Sequence, residues 1–285
     1  MSDRKRLLGP ADSRIPETGV RSETFKKENI NIEKKPDDEV RKIFLKRGLE
    51  KDSNGSAYLE AGDHIIQVSV FGPKPIRGIF SERGSLSVEC KFLPYIAQPG
   101  EMKYNGKMPR SNYNARTSLT MVEHKLSNYL ETTLLPSIIL ERYPKSSIEI
   151  FVTVLSTSSD DGTGKSILNL ANWIVVCASL ALVDSQIELK DIVSSGHARL
   201  NHSNGKIILD PLFDSHDDDR FTECLVSSMN LRNDEIIGFW IDGEWKGLEE
   251  ENIDNLVEEA LKVSKLVRSN INSYLMQTLE SETMF

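Results

Sequence analysis

Residues 147–183 read SIEIFVTVLSTSSDDGTGKSILNLANWIVVCASLALV, and this stretch decides the fold. Apolar and polar side chains alternate from Ser147 to Leu155, which predicts a strand with one buried face. After a segment rich in Ser, Asp and Gly, the chain is apolar on nearly every side from about Lys165 to Val183. That pattern predicts a helix enclosed by the fold rather than lying on its surface.

Strands dominate the chain before this stretch. Apolar side chains at every second position, bounded by turn residues, predict three strands, and a stripe at helical spacing predicts one helix. Pro136 is expected to kink or end that helix. The predicted elements are the strands Gly55–Ala61, His64–Phe71 and Gly84–Phe92 and the helix Thr117–Ile139.

The chain after the stretch is again rich in strands and ends in an amphipathic helix from about Glu249 to Leu279. Asn204-Gly205 and Asp242-Gly243 are typical of hairpin turns. The predicted strands are Asp191–Leu200, Lys206–Leu209, Phe221–Met229 and Glu235–Ile241. This order of elements favours an α+β domain with helices packed on largely antiparallel sheets.

Residues 1–48 differ from the rest of the chain in composition. The lysine- and glutamate-rich segment from Phe25 to Val40 has few apolar positions and no sustained period. Such a segment buries too little apolar surface to offset the entropy lost on ordering. Residues 1–48 are therefore predicted to form a partly mobile N-terminal arm, ahead of a single domain over 49–285.

The composition of the 285 residues, with 39% apolar and 27% charged, is that of an ordinary soluble globular protein. No run of about 20 apolar residues is present and the N-terminus has no apolar core, so no membrane span or secretory signal is expected. A net charge of −8 disfavours a free-standing RNA-binding module, because phosphate neutralisation supplies most of that affinity. Any RNA contact is expected to be local or shared with more basic partners.

Several short motifs, in one order along residues 4–275, resemble the RNase PH family and, within it, the ring subunits of the eukaryotic RNA exosome. Each motif is weak alone, and the specificity comes from their order and from the element type under each. The motifs are Arg6-Leu7-Leu8-Gly9-Pro10, Asn54-Gly55-Ser56-Ala57, Phe71-Gly72-Pro73, Ile76-Arg77-Gly78, Arg142-Tyr143-Pro144-Lys145-Ser146, Ile148-Glu149-Ile150-Phe151-Val152, Ala181-Leu182-Val183-Asp184 and Ile237-Gly238-Phe239-Trp240.

The resemblance implies an RNase PH-like (ribosomal protein S5 domain 2-like) fold, with βαβ-type units and helices packed on mainly antiparallel sheets. It also implies a place in a hexameric ring, in which such subunits pair as heterodimers around an RNA channel. The implied partners are the other RNase PH-like exosome subunits, RNA-binding cap proteins, an associated exosome nuclease and single-stranded RNA. The implied locations are the nucleus, the nucleolus and the cytoplasm.

The chemistry of active relatives is expected to be missing. Phosphorolysis needs cations that hold inorganic phosphate against an RNA phosphodiester, since two anions must be brought together. Active relatives place an arginine after an Asp-Gly loop at the start of the central helix. Lys165 falls near that place when the loop is aligned, whereas counting back from Ala181-Leu182 puts Ala171 there. The arginines that active relatives carry on the preceding helix are also absent, so no catalytic residue is predicted.

Asp210 resembles a catalytic or metal-binding aspartate of the family, and Asp214 and Asp217–Asp219 follow it. A solvated acidic loop is the favoured interpretation, with Lys165 and Asp210 as vestigial site candidates and no cofactor. The alternative is an active phosphate-dependent 3'-5' exoribonuclease, in which Asp210 is the catalytic acid and Lys165 binds phosphate. No metal site is predicted, because His216 has no second ligand at a suitable spacing and the other histidines are isolated.

Two other residue patterns are interpreted as structural. Gly162–Ser166 resembles a phosphate-binding loop, but Ser159 stands where that motif needs glycine, and nearby aspartates would repel phosphate. The three cysteines, Cys90, Cys177 and Cys224, are widely spaced and odd in number, which favours buried thiols in a reducing compartment.

Lys74 and Arg77 are the predicted RNA contacts. They lie in a turn with two prolines, and the resemblance places the matching loop of ring-forming relatives at the neck of the channel. Each cation is expected to bind RNA phosphates without sequence preference. A solvated hairpin turn remains the alternative.

Overall fold

The structure is a computed structural model that describes residues 36–78, 80–94, 96, 98–99, 119–157, 167–202, 204–211, 221–243 and 250–283. The strands are β1 (Ile43–Arg47), β2 (Gly55–Ala61), β3 (His64–Pro75), β4 (Ser85–Phe92), β5 (Ser146–Ser156), β6 (Ser194–Asn201), β7 (Ile207–Leu209), β8 (Phe221–Met229) and β9 (Glu235–Gly243). The helices are α1 (Met121–Leu134), α2 (Ile167–Asp184) and α3 (Glu250–Thr283).

The first sheet has the strand order β1-β2-β3-β5-β4. Its strands pair antiparallel except β4 and β5, which run parallel with α1 between them in the chain. Parallel neighbours need a crossover, so β4, α1 and β5 form the predicted βαβ-type unit. The alternation predicted for β4 and β5 is confirmed: Leu86, Val88, Ile148 and Ile150 lie on the buried face.

The second sheet has the order β7-β6-β8-β9 and is wholly antiparallel. α2 packs on β2 and β3 of the first sheet and on β6 and β8 of the second, and α3 packs on β6 and β8. By length and composition α2 could cross a membrane, but 83% of it is buried inside the protein. α2 is therefore the core helix that its all-round apolar pattern predicts.

α1 begins later than its apolar pattern predicts. The helix starts at Met121, where the Thr120 hydroxyl accepts from the Glu123 amide and the Glu123 carboxylate accepts from the Thr120 amide. This capping box satisfies two amides that have no partner within the helix. Leu134 is the last α-helical residue, and a short 3₁₀ turn containing Pro136 follows, as the missing amide of proline favours.

α3 is attached to both sheets. Its Arg268 donates to the buried carboxylate of Asp191, just before β6, at 2.7 Å. Near its C-terminal end, the Tyr274 hydroxyl accepts from the amide of Arg47 at 2.9 Å. A single helix of 34 residues therefore contacts the second sheet and the edge of the first.

Two sequence predictions need correction. The boundary of the predicted arm over residues 1–48 is wrong for its last residues, because β1 pairs with β2 from Ile43 with Ala61 to Arg47 with Ala57. Residues 1–35 of that arm lie outside the described residues. Asp242-Gly243 is not a hairpin turn within the described chain, since both residues still pair with β8 as the last residues of β9.

Candidate functional site

The segment 72–78 carries Lys74 and Arg77 and is called the Lys74 turn. Lys74 is still part of β3, where it pairs with Ser147 of β5, and Arg77 follows two residues after the strand ends. Gly72 adopts a φ of 126°, and an added Cβ there would lie 2.6 Å from the carbonyl oxygen of Ser147. Its amide donates to the side-chain oxygen of Asn54 at 2.9 Å. The backbone before Lys74 is therefore held against both neighbouring segments, and only glycine fits this close approach.

Lys74 already has a partner within the protein. Its ammonium nitrogen lies 2.9 Å from a carboxylate oxygen of Glu149 on β5 and 4.8 Å from the centre of the Phe71 ring. About half of the side chain remains exposed, and such surface pairs contribute little to stability. A phosphate can therefore compete with Glu149 for Lys74, although Glu149 weakens the local positive potential.

Arg77 is exposed and makes no ion pair within the part of the chain that the structure describes. Lys145, which is not among the RNA contacts predicted from the sequence, lies beside the same segment. The amide of Ile76 donates to the Lys145 carbonyl at 3.0 Å, and the Lys145 amide donates to the Ser81 carbonyl at 2.9 Å. The signal that could have found Lys145 is its place in a Pro-Lys turn directly before the strand that pairs with β3.

The side chain of Asp210, a vestigial site candidate, is fully buried, and its carboxylate binds the guanidinium of Arg41. Arg41 donates from Nε to one carboxylate oxygen and from Nη2 to the other, both at 2.7 Å, and its amide adds a third bond at 3.0 Å. The interpretation of Asp210 as part of a solvated acidic loop is therefore wrong for this residue. Its negative charge is neutralised inside the protein by a bidentate partner.

Arg41 is itself fixed from several sides. Its Nη2 also donates to the side-chain oxygen of Asn169 at 3.1 Å and to the carbonyl of Pro211 at 3.3 Å. The guanidinium lies 5.6 Å from the ring centre of Trp173 on α2. The Arg41–Asp210 clamp, meaning these two side chains, therefore ties residues before β1 to the start of α2 and the end of β7.

Comparisons with known proteins identify the family of this chain. The RNase PH family, described as "3' exoribonuclease family, domain 1", matches residues 39–188. The chain belongs to the RNase PH family. The match begins at Glu39, which supports the placement of the residues before β1 within the folded part.

Individual relatives of this chain are named as exosome components. A protein named exosome complex component MTR3 from Chaetomium thermophilum is 28% identical over 98% of this chain and 100% of its own length. A protein named exosome complex component Rrp41 from Pyrococcus horikoshii is 32% identical over 80% of this chain and 81% of its own. The solved structure of rice Rrp46 has the same fold, with a TM-score of 0.62 and 20% identity over 85% of this chain and 98% of that one. Within the family, the sequence motifs resemble the exosome subunit mRNA transport regulator three most narrowly. This resemblance and the resemblance to the RNase PH family are both confirmed.

A second charged group of this RNase PH chain, not predicted from the sequence, lies between the second sheet and α2. Arg199 on β6 donates to Glu223 on β8 at 2.6 Å, and the ring of His197 lies 3.5 Å from the same carboxylate. All three side chains are almost fully buried. Cross-strand pairing of Arg199 with Glu223 neutralises the acid, and the buried His197 ring lies beside this pair.

The three cysteines occupy the core, as predicted. Burial raises the pKa of the Cys224 thiol to about 12 and raises the pKa of Cys90 and Cys177 as well. Thiols with such raised pKa values stay protonated near neutral pH and are poor nucleophiles. None of the three is therefore suited to covalent catalysis.

The remaining site predictions fall partly outside the described residues. Lys165 lies in 158–166, and His216 and the acids that follow Asp210 lie in 212–220. Among the residues that the structure describes, no group of three His, Cys, Asp or Glu side chains is placed to hold a metal ion. The RNA-contact role of Lys74 and Arg77 stays a prediction.

Proposed function

We propose that this chain is a noncatalytic subunit of the RNase PH-like ring of an RNA exosome, where it supports 3'-5' RNA processing and degradation and lines the RNA channel. The observation that carries the noncatalytic part is the Arg41–Asp210 clamp. A general acid or metal ligand must reach its substrate or its ion, whereas both oxygens of this carboxylate face an internal guanidinium.

The proposed partners are other RNase PH-like subunits, RNA-binding cap proteins, an associated nuclease and single-stranded RNA. The exosome names of the relatives support this proposal. So does β9, an edge strand of the second sheet on which Ile236 and Phe239 are 45% and 51% exposed. An edge of this kind offers unpaired backbone groups and apolar surface to a neighbouring subunit. The proposed locations are the nucleus, the nucleolus and the cytoplasm, which imaging of a tagged chain would test.

The first prediction concerns activity. The purified full-length chain, alone and with the proteins that copurify with it, is incubated with polyadenylate RNA and inorganic phosphate. We expect no nucleoside diphosphate above the level without protein from the chain alone, because its candidate acid is not presented to a substrate. Chromatography of the nucleotides measures the product, and mass spectrometry identifies the copurifying proteins.

The two readouts separate the rival functions. Release of nucleoside diphosphate by the isolated chain would support the alternative, an active phosphate-dependent 3'-5' exoribonuclease. Absence of other RNase PH-like proteins among the copurifying species would contradict the ring subunit proposal. Activity that depends on a partner and persists with Asp210→Asn would assign the chemistry to that partner.

The second prediction concerns the RNA contact. Replacing Lys74 and Arg77 together by glutamate is expected to lower the affinity of the assembled particle for single-stranded RNA by about tenfold or more at low salt, because two phosphate contacts become repulsive. Fluorescence anisotropy with labelled oligoadenylate measures the change.

The matched control replaces Lys42 and Lys91, which lie elsewhere on the same sheet, by glutamate. Lys91 on β4 is paired with Glu89 at 2.6 Å, as Lys74 is with Glu149, and Lys42 is exposed beside β1. Both lie toward the end of the first sheet where β2 turns into β3, opposite the Lys74 turn. If the control double variant weakens binding as much as the Lys74 and Arg77 variant, net charge rather than position explains the effect.

A further inference from the structure

The cations around the Lys74 turn differ in how far the protein itself neutralises them. Lys74 is paired with Glu149, Arg83 lies 3.4 Å from Glu141, and Arg142 lies 3.4 Å from Glu188. Lys145 and Arg77 are exposed and make no ion pair with any residue in the described ranges. Among the described cations named here, these two are the ones whose charge no described carboxylate offsets.

Backbone hydrogen bonds join Lys145 to both ends of the turn. Its carbonyl accepts from Ile76, one residue before Arg77, and its amide donates to Ser81. The two residues that each bond joins are 69 and 64 positions apart in the sequence, so no local sequence pattern predicts these bonds. They keep the backbone of Lys145 beside the segment that carries Arg77.

The backbone of Lys145 is also held in an unusual conformation. Its φ is 52°, in the left-handed region that most residues other than glycine avoid. The next residue, Ser146, begins β5 and is buried, and its hydroxyl donates to the Tyr143 carbonyl at 2.6 Å. A cation on a fixed backbone loses less entropy on binding than one on a mobile loop, which favours a role in binding.

We propose that Lys145 is a further RNA-phosphate contact that acts with Arg77 at the end of the first sheet. The ligand class is the phosphodiester backbone of single-stranded RNA, bound without base preference. This inference rests on the proposed function, because it assumes that RNA passes this turn, and it adds a residue outside the Lys74 turn itself. With Lys74 held by Glu149, the pair of Arg77 and Lys145 supplies the larger part of the attraction.

The test removes the charge and keeps the backbone. Lys145→Asn is suited to it because asparagine tolerates positive φ, and Lys145→Arg keeps the charge. Lys42→Asn is the matched control, since it removes an exposed lysine near the opposite end of the same sheet. Binding of labelled oligoadenylate is measured from low to moderate salt, on the assembly that copurifies with the full-length chain or on the chain alone when nothing copurifies.

We expect Lys145→Asn to weaken binding about threefold or more at low salt and to reduce the slope of log affinity against log salt by about 0.7, the value for one phosphate contact on a single strand. Lys145→Arg and Lys42→Asn are expected to bind like the wild type. Unchanged affinity and slope with Lys145→Asn, while the Lys74 and Arg77 double variant still weakens binding, would overturn the role of Lys145 and leave the proposed function intact. No effect of any of these variants, or no binding by the wild type, would overturn both.

Discussion

Replacing Arg41 by leucine is expected to lower the free energy of unfolding by about 3–5 kcal/mol. The substitution leaves the Asp210 carboxylate buried without the cation that now binds both of its oxygens. An uncompensated buried charge is far more destabilising than the loss of an exposed pair. Urea denaturation, followed by far-ultraviolet circular dichroism, measures the change.

An exposed ion pair provides the control. Arg83→Leu removes a guanidinium that lies 3.4 Å from Glu141 with both side chains mostly exposed, and its effect is expected to stay within about 0.5 kcal/mol. Asparagine at position 210 fits the positive φ of that residue and removes the negative charge. The Arg41→Leu, Asp210→Asn double variant is therefore expected to lose less stability than the sum of the two single changes. If Arg41→Leu lowered the free energy of unfolding as little as Arg83→Leu does, the clamp would not stabilise the fold.

Adding one methyl group at Gly196 is expected to cost about 1–3 kcal/mol of stability. Gly196 lies on β6 under α3, and a Cβ there would stand 2.0 Å from the carbonyl oxygen of Ala260 and 2.6 Å from the amide of Ser264. Both atoms belong to the helix backbone, so no side-chain rotation can relieve the clash. The helix must move away from the sheet, which opens the apolar cluster around Leu256 and Ala198.

Ser87→Thr is the matched control for Gly196→Ala, since it adds one methyl group to a strand at an exposed position of β4. Its effect on the midpoint of urea denaturation is expected to be small, because the added group projects into water. Equal effects of the two variants would show that α3 does not approach β6 as closely as the structure has it.

Elements with a strong local pattern could be predicted from the sequence. β4 alternates over its whole length, and α2 is apolar on every side because sheets cover it on two sides. β1 has no such pattern, since Leu45 is its one buried residue and Phe44 is 53% exposed. A short, charged edge strand has no clear alternation, and only its pairing with β2 identifies it.

The contacts of the site depend on long-range pairing. Arg41 and Asp210 are 169 residues apart, and the order of β7, β6 and β8 in the second sheet has no signature in any one segment. The pair of Arg199 and Glu223 is easier to predict, because both residues lie on predicted strands. The prediction would still need the register between β6 and β8. The sequence therefore predicts the family and every strand and helix with a strong local pattern, whereas the structure shows which charges neutralise each other.

The attachment of α3 to both sheets bears on how the protein would assemble. Its contacts with Asp191 and with the backbone of Arg47 hold the second sheet relative to β1, the edge strand of the first sheet, before any neighbour arrives. A subunit whose docking edges are already held in place loses little conformational freedom when it enters a complex. The long C-terminal helix thus prepares this chain for association as a preorganised building block.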